Sequence, residues 1–140
     1  MILGIGTDIS DFSRMRDALE RSGRSLMNRL FTEAEQARCE RRHDPVPCLA
    51  ARFAAKEALG KALGVGLGSM GITSAEVVND ERGAPSFRFH GRLKSWVEAV
   101  PGMRVHLTLS DGESHAAAFV VLESDQIDAL PSFPGVREQE

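Results

Sequence analysis

The sequence predicts an α+β domain in which a small antiparallel sheet packs with helices. A strand pattern opens the chain at Ile2, helical periodicity then fills most of residues 10–63, and two-residue alternation with turn signals fills the second half. Strands segregated from a block of helices in this way indicate α+β rather than alternating βα units. A length of 140 residues suits one domain, and 42% hydrophobic residues suffice for a modest core that oligomerisation would help to complete. The expected domain spans residues 1–123, with a loosely ordered tail over residues 124–140.

Each element has a local reason. ILGIGTDI, residues 2–9, reads as a strand with Leu3, Ile5, Thr7 and Ile9 on one face and Ile2, Gly4, Gly6 and Asp8 on the other. Two glycines on the second face leave open space beside an acid. Ser10 can cap a helix with Phe12, Met15 and Leu19 inside, ending near Gly23, and a short helical piece follows at Leu26–Leu30. Thr32 with Glu35 is a capping box for a helix to about Arg42. Pro45 and Pro47 break it, and a long helix runs from Val46 to Leu63, closed by Gly64, Gly66 and Gly68. Ala75–Asn79 and Ser86–Phe89 read as strands joined by the turn DERGAP, and Gly91–Ala99 as a short helix with Trp96 inside. Arg104–Ser110 and His115–Glu123 flank the hairpin turn DGES, and the second strand is apolar enough to be central. From Ser124 onward two prolines and no periodicity predict a loose tail.

The formal charge of −3 argues against general affinity for nucleic acid. Charge is uneven, however. Between Arg14 and Arg42 stand eight arginines and five acids, a basic helical segment suited to an acidic partner. Cys39 and Cys48 have no metal-ligand spacing, and a disulfide and reduced thiols are both open, with reduced cytosolic thiols expected. No basic leader segment precedes an apolar run and no stretch approaches a membrane span, so a cytoplasmic location is expected.

The long helix poses the chemical question. Leu49, Ala50, Phe53, Ala54 and Ala58 form one apolar arc, and Glu57 and Lys61 fall in its middle. On a surface helix such an i,i+4 pair contributes only ~0.2–0.5 kcal/mol, but within an apolar arc the charges need compensation. Asp8 is a second acid among small neighbours. It is either a helix cap or a ligand. Two carboxylates converging in a partly dry site require a cation or a shared proton, and all-oxygen ligation suits Mg²⁺. Arg52 and Lys56 lie a turn apart on the adjacent side of the helix, and with Lys61 they make three cations within reach of a polyphosphate or, alternatively, a solvated face. The turn NDERGAP, with Gly83 and Pro85, can present backbone donors and a flat ring to a ligand or merely connect strands. GIGTDI is not a dinucleotide fingerprint, because Ile9 stands where G-x-G-x-x-G needs its third glycine. The four histidines lack metal-ligand spacing, and His106 falls at an outward strand position.

GIGTDI and RFAAKEALGKALGVG, in this order and separation, resemble the two signature blocks of the bacterial holo-[acyl-carrier-protein] synthases, the short 4′-phosphopantetheinyl transferases. NDERGAP and HLTLSDGESHAAAFVVLE resemble the family's later hairpin and closing strands, so the likeness spans residues 2–123. It implies that family's fold, with one pseudo-half per chain and a homotrimer whose active sites lie in clefts between subunits. It implies transfer of 4′-phosphopantetheine from coenzyme A to a serine of apo-acyl carrier protein in support of fatty acid biosynthesis, with adenosine 3′,5′-bisphosphate as the other product. It further implies Mg²⁺ held by Asp8 and Glu57, catalysis by Glu57 and Lys61, coenzyme A phosphates near Lys61, and carrier-protein contact by Arg14. Lys56, Arg52, Gly83 and Pro85 are the further candidates for binding coenzyme A. Two departures stand out: Ser110-Asp111 where many members have Ser/Thr-His, and His115 where some have tyrosine. The competing classes are a non-catalytic module that binds acidic proteins through the Arg14–Arg42 segment and a coenzyme A-binding regulator.

Overall fold

The computed structural model describes residues 1–125 and 130–133. In chain order the elements are β1 (Ile2–Asp11), α1 (Phe12–Leu30), α2 (Glu33–Glu40), α3 (Val46–Leu63), the single turn α4 (Leu67–Met70), β2 (Ala75–Asn79), β3 (Pro85–Phe89), α5 (Gly91–Ala99), β4 (Arg104–Asp111) and β5 (His115–Glu123). β5 is central in a three-stranded antiparallel sheet ordered β1-β5-β4, and β2 pairs with β3 in a separate two-stranded sheet. The α+β expectation holds.

Helix α3 packs across the inner face of β1 and β5, and glycine decides how closely. A Cβ at Gly6 would collide with the Ala58 carbonyl oxygen, and one at Gly4 with that of Ala62. The space that the glycine face of β1 leaves open in the sequence is thus filled by helix backbone. Ile5 and Ile9 consequently face outward. Ala54, Ala58, Ala118, Val120 and Leu122 are buried in the main core with Trp96 and Leu93 of α5. A second cluster joins Phe12, Met15, Met27 and Phe31 to Leu49 and Ala50.

Several local expectations shift. β1 continues to Asp11, and it is Asp11 rather than Ser10 that caps α1, accepting from the backbone N–H groups of Ser13 and Arg14. The two helical pieces expected on either side of Gly23 are present, running end to end as α1 across a break at Gly23, whose φ of 52° a residue without a side chain tolerates. Thr32 and Glu35 make the capping box reciprocally, as the spacing predicts. Cys39 and Cys48 are joined in a disulfide, contrary to the reduced thiols expected; the helix ends on either side of residues 41–45 bring them together. The tail is not wholly loose either: Phe133 is buried edge-on against Trp96, whose indole N–H donates to the Ser132 carbonyl. Most of the expected tail, residues 126–129 and 134–140, lies outside the described residues. Among the described residues no helix is long and apolar enough to cross a membrane.

Candidate active site

The β1–α3 contact places the acids. With Gly6 seated on Ala58 and Gly4 on Ala62, the strand's next inward residue is Asp8, and the helix presents Glu57 and Lys61 beside it. The Lys61 ammonium donates to the Thr7 carbonyl at 3.0 Å and to Asp8 Oδ1 at 3.2 Å. Asp8 is largely shielded while Lys61 remains mostly exposed. Burial, followed by the charge of Asp8, raises the proton affinity of Glu57, and Lys61 offsets only part of this.

Asp8, Glu57 and Lys61 line one cleft of about 860 Å³ between β1, α1 and α3. Arg14 and Arg21 of α1 line the same cleft, as do Asp11, Met15 and Phe53. Arg21 was not singled out from sequence, although its spacing of seven residues from Arg14, two helical turns, places both on one face. The cap on Asp11 anchors the start of the helix that carries them. A small apolar strip, Met15 and Phe53, lies beside the charges.

Lys56 departs from expectation. Its ammonium is fully buried, donates to Glu35 Oε1 at 2.7 Å and to the Ile72 carbonyl at 3.1 Å, and stands 5.6 Å from the centre of the Phe31 ring. A side chain with no exposed surface does not reach a phosphate in the cleft, so the solvated basic face read from the spacing is not formed. Arg52 is likewise buried. It donates to Asn79 Oδ1 at 2.7 Å, and burial lowers its proton affinity. Its Nε has no hydrogen-bond partner among the described residues. Asn79 in turn donates to the Gly83 carbonyl, so Arg52, Gly83 and Pro85 gather at the β2–β3 turn and line no part of the cleft. His115 pairs with Asp11 at 3.1 Å, and His106 with Glu123 at 2.8 Å, on the outer side of the sheet.

The 4′-phosphopantetheinyl transferase superfamily model matches residues 4–120. A holo-[acyl-carrier-protein] synthase of Pectobacterium atrosepticum is 42% identical over 124 residues, covering 88% of this chain and 98% of that protein. One from Methylorubrum extorquens is 44% identical over 135 residues, covering 92% and 98%. Among solved structures, the holo-[acyl-carrier-protein] synthase of Neisseria meningitidis superposes with a TM-score of 0.81 at 37% identity, covering 89% of this chain and all (100%) of that one. The Bacillus anthracis enzyme, solved in complex with CoA (3′,5′-ADP), gives 0.74 at 35% identity, covering 89% and 99%. With a strand acid, a helix acid and an arginine-bearing helix set around one cleft, and with relatives this similar over nearly their whole length, the chain belongs to the holo-[acyl-carrier-protein] synthases of the 4′-phosphopantetheinyl transferase superfamily.

Proposed function

We propose that this chain transfers the 4′-phosphopantetheine group of coenzyme A to a serine hydroxyl of an apo-acyl carrier protein, leaving adenosine 3′,5′-bisphosphate and supporting fatty acid biosynthesis. One observation carries this reading: Asp8, Glu57 and Lys61 share a cleft with Arg14 and Arg21. With a divalent cation held between the two acids, the first three suit a diphosphate, and the arginines suit an acidic protein.

The donor set fits Mg²⁺. Asp8 and Glu57 offer oxygen only, and among the described residues no third carboxylate, His or Cys joins them in a group of three. That leaves coordination positions to water and phosphate oxygens, as Mg²⁺ prefers. Burial first, and then the charge of Asp8, raises the proton affinity of Glu57, and a bound cation would relieve both, since Lys61 is already bonded to Asp8. Asp8 and Glu57 would hold the ion, which when bound neutralises charge on the diphosphate as the leaving nucleotide departs. Lys61 adds an ammonium to the same side and is the residue assigned to stabilise the leaving phosphate. Arg14, with Arg21 beside it, receives the acidic carrier. Orientation and charge neutralisation are then the chain's main contributions, as in other phosphoryl transfers.

Gly83 and Pro85 are assigned to the nucleotide end of coenzyme A, with buried Arg52 bracing their turn through Asn79, in a site completed by a neighbouring copy of the chain. Their separation from the cleft within one chain supports a homotrimer with shared sites, as does the exposed apolar outer face of β1 and β5. A cytoplasmic location accords with coenzyme A and apo-carrier protein as substrates.

The test is direct. Incubated with coenzyme A, Mg²⁺ and apo-acyl carrier protein, the chain is expected to add one phosphopantetheine mass to the carrier, and a chelator is expected to abolish the addition. Binding of both substrates without the mass increment would favour a carrier-binding module or a coenzyme A-responsive regulator instead.

A further inference from the structure

Helix α3 carries both Glu57 and Lys61, yet its own surface says little about how it should be rotated. Buried residues lie all round it: Ala58 and Ala62 against the first strand, Ala50 in the second core cluster, and Ala55, Leu59 and Leu63 elsewhere. Ordinary surface helices are held in rotation by an apolar stripe opposite a polar one. α3 has no such contrast. The seat of the Ala58 and Ala62 carbonyls on Gly6 and Gly4 fixes how near α3 comes to β1, which leaves the roll about its axis to be set by directional contacts.

The sealed Lys56–Glu35 pair does constrain the roll. Lys56 and Glu35 are both 0% exposed in their side chains, 2.7 Å apart. Lys56 also donates to Ile72 just before β2, and Glu35 accepts from the Val77 N–H within β2 and the Thr32 N–H at the start of α2. Thr32 donates onward to Glu76. Directly, or through Glu35, the ammonium is thus tied to α2, to the segment before β2 and to β2, and rotation of α3 would draw it off a buried carboxylate. Drawing the ammonium off its carboxylate would leave both charges uncompensated in the interior, which the fold opposes strongly.

We infer that Lys56 and Glu35 are positioning residues: their buried pair sets the roll of α3 so that Glu57, the next residue along the helix, faces Asp8 across the cleft. The inference rests on the proposed function only in assigning the cleft its chemistry. Geometry gives the scale. A helix with side chains is about 10–12 Å across, so a carboxyl sits about 5–6 Å from the axis, and a roll of about 20° displaces it by about 2 Å. A displacement of about 1 Å is enough to lower a rate on the order of 10²-fold.

The experiment compares Lys56→Met, Glu35→Gln, their double variant and Glu35→Asp with the wild type. A core truncation on another element, Leu93→Ala, supplies a destabilised control, since Leu93 is buried far from the charges in sequence and lines no part of the cleft. Each is assayed well below its own melting temperature. The readouts are kcat, the KM for coenzyme A, the Mg²⁺ concentration for half activity, and the rise in melting temperature caused by Mg²⁺ alone. Both single variants are expected to lower kcat on the order of 10- to 100-fold, to raise the Mg²⁺ requirement and to shrink the Mg²⁺-induced melting shift, with the coenzyme A KM within about threefold. The double variant is expected to be no worse than either single one, because the two side chains act as a unit. Leu93→Ala is expected to keep kcat and Mg²⁺ response at matched loss of stability. Should the neutral variants fail to fold, Glu35→Asp keeps the charge while shortening its reach, and carries the same expectation. Folded variants with wild-type kcat and Mg²⁺ response would overturn the inference, as would a coenzyme A KM raised by Lys56→Met but not by Glu35→Gln, which would make Lys56 a phosphate ligand. A wild-type chain that transfers nothing would instead defeat the proposed function, and the Mg²⁺ melting shifts would still decide the positioning role.

Discussion

Half-buried beside Asp8, Glu57 takes up a proton more readily than an exposed glutamate does. The native chain therefore binds more protons than the unfolded one between the ordinary glutamate value of 4.5 and the raised native value. Stability from this group is present at the acid end and falls as pH rises through that window. Mg²⁺, held by the ionised form as proposed, should flatten the fall. Melting midpoints from about pH 4 to about pH 8 would check this, with the slope attributable to Glu57 absent in Glu57→Gln. The same variant is expected to lose Mg²⁺-dependent transfer while keeping its fold. The cations separate by role. Lys61→Ala should lower kcat on the order of 10²- to 10³-fold, the scale of losing one group that meets developing charge. Arg14→Ala should leave kcat nearly intact and raise the KM for the carrier, with the difference shrinking as salt rises. An Arg14 variant that loses kcat at saturating carrier would move that residue from docking into the chemistry.

Among the elements, the close seat of β1 on α3 is what joins the two acids, and it can be tested away from them. Gly6→Ala pushes a methyl into the Ala58 carbonyl and should cost about 1–3 kcal/mol or more, with transfer lost disproportionately because Asp8 is displaced. Gly66→Ala, with nothing near its added carbon, is the matched control and should be nearly silent. Between α2 and α3, the Cys39–Cys48 bond closes a short loop, and the chain-entropy account gives it on the order of 2–3 kcal/mol. Urea denaturation of the Cys39→Ser/Cys48→Ser variant should show that loss, and reductant should then have no further effect. How much of this the sequence discloses depends on the range of the interaction. The Thr32–Glu35 capping box, the glycine stop after Leu63 and the central apolar β5 are local or periodic signals, and each was legible. So was the oddity of Asp8 with Glu57, since charge inside an apolar arc shows without coordinates. Lys56 was misplaced because its partner, Glu35, lies 21 positions away on another helix. At helical spacing it is indistinguishable from a solvated lysine. The docking of Phe133 on Trp96 is equally non-local, and α4 is a single turn with no capping signal.

At the scale of the whole molecule, the outer face of the main sheet is the unfinished surface. Ile5 is 60% exposed, Ile9 67% and Phe119 44%, side by side on β1 and β5, where an isolated domain would place polar residues. A second feature points the same way: the β2–β3 turn, assigned to the nucleotide, and Arg52, which braces it, do not share a cleft with Glu57 in one chain. A head-to-tail ring resolves both, since each copy then contributes one part to its neighbour's site and the apolar faces meet at the centre. Sedimentation should give the mass of three chains for the wild type and of one for Ile5→Asp/Phe119→Asp, with transfer lost in the latter although the fold survives. Mixing supplies the sharper measurement. Glu57→Gln and Arg52→Ala chains are each expected to be inactive alone, and equal amounts unfolded and refolded together should regain about one quarter of wild-type activity, because one interface in four pairs an intact Glu57 with an intact neighbouring Arg52. If each site were built within a single chain, every site in the mixture would carry one defect, and no activity would return.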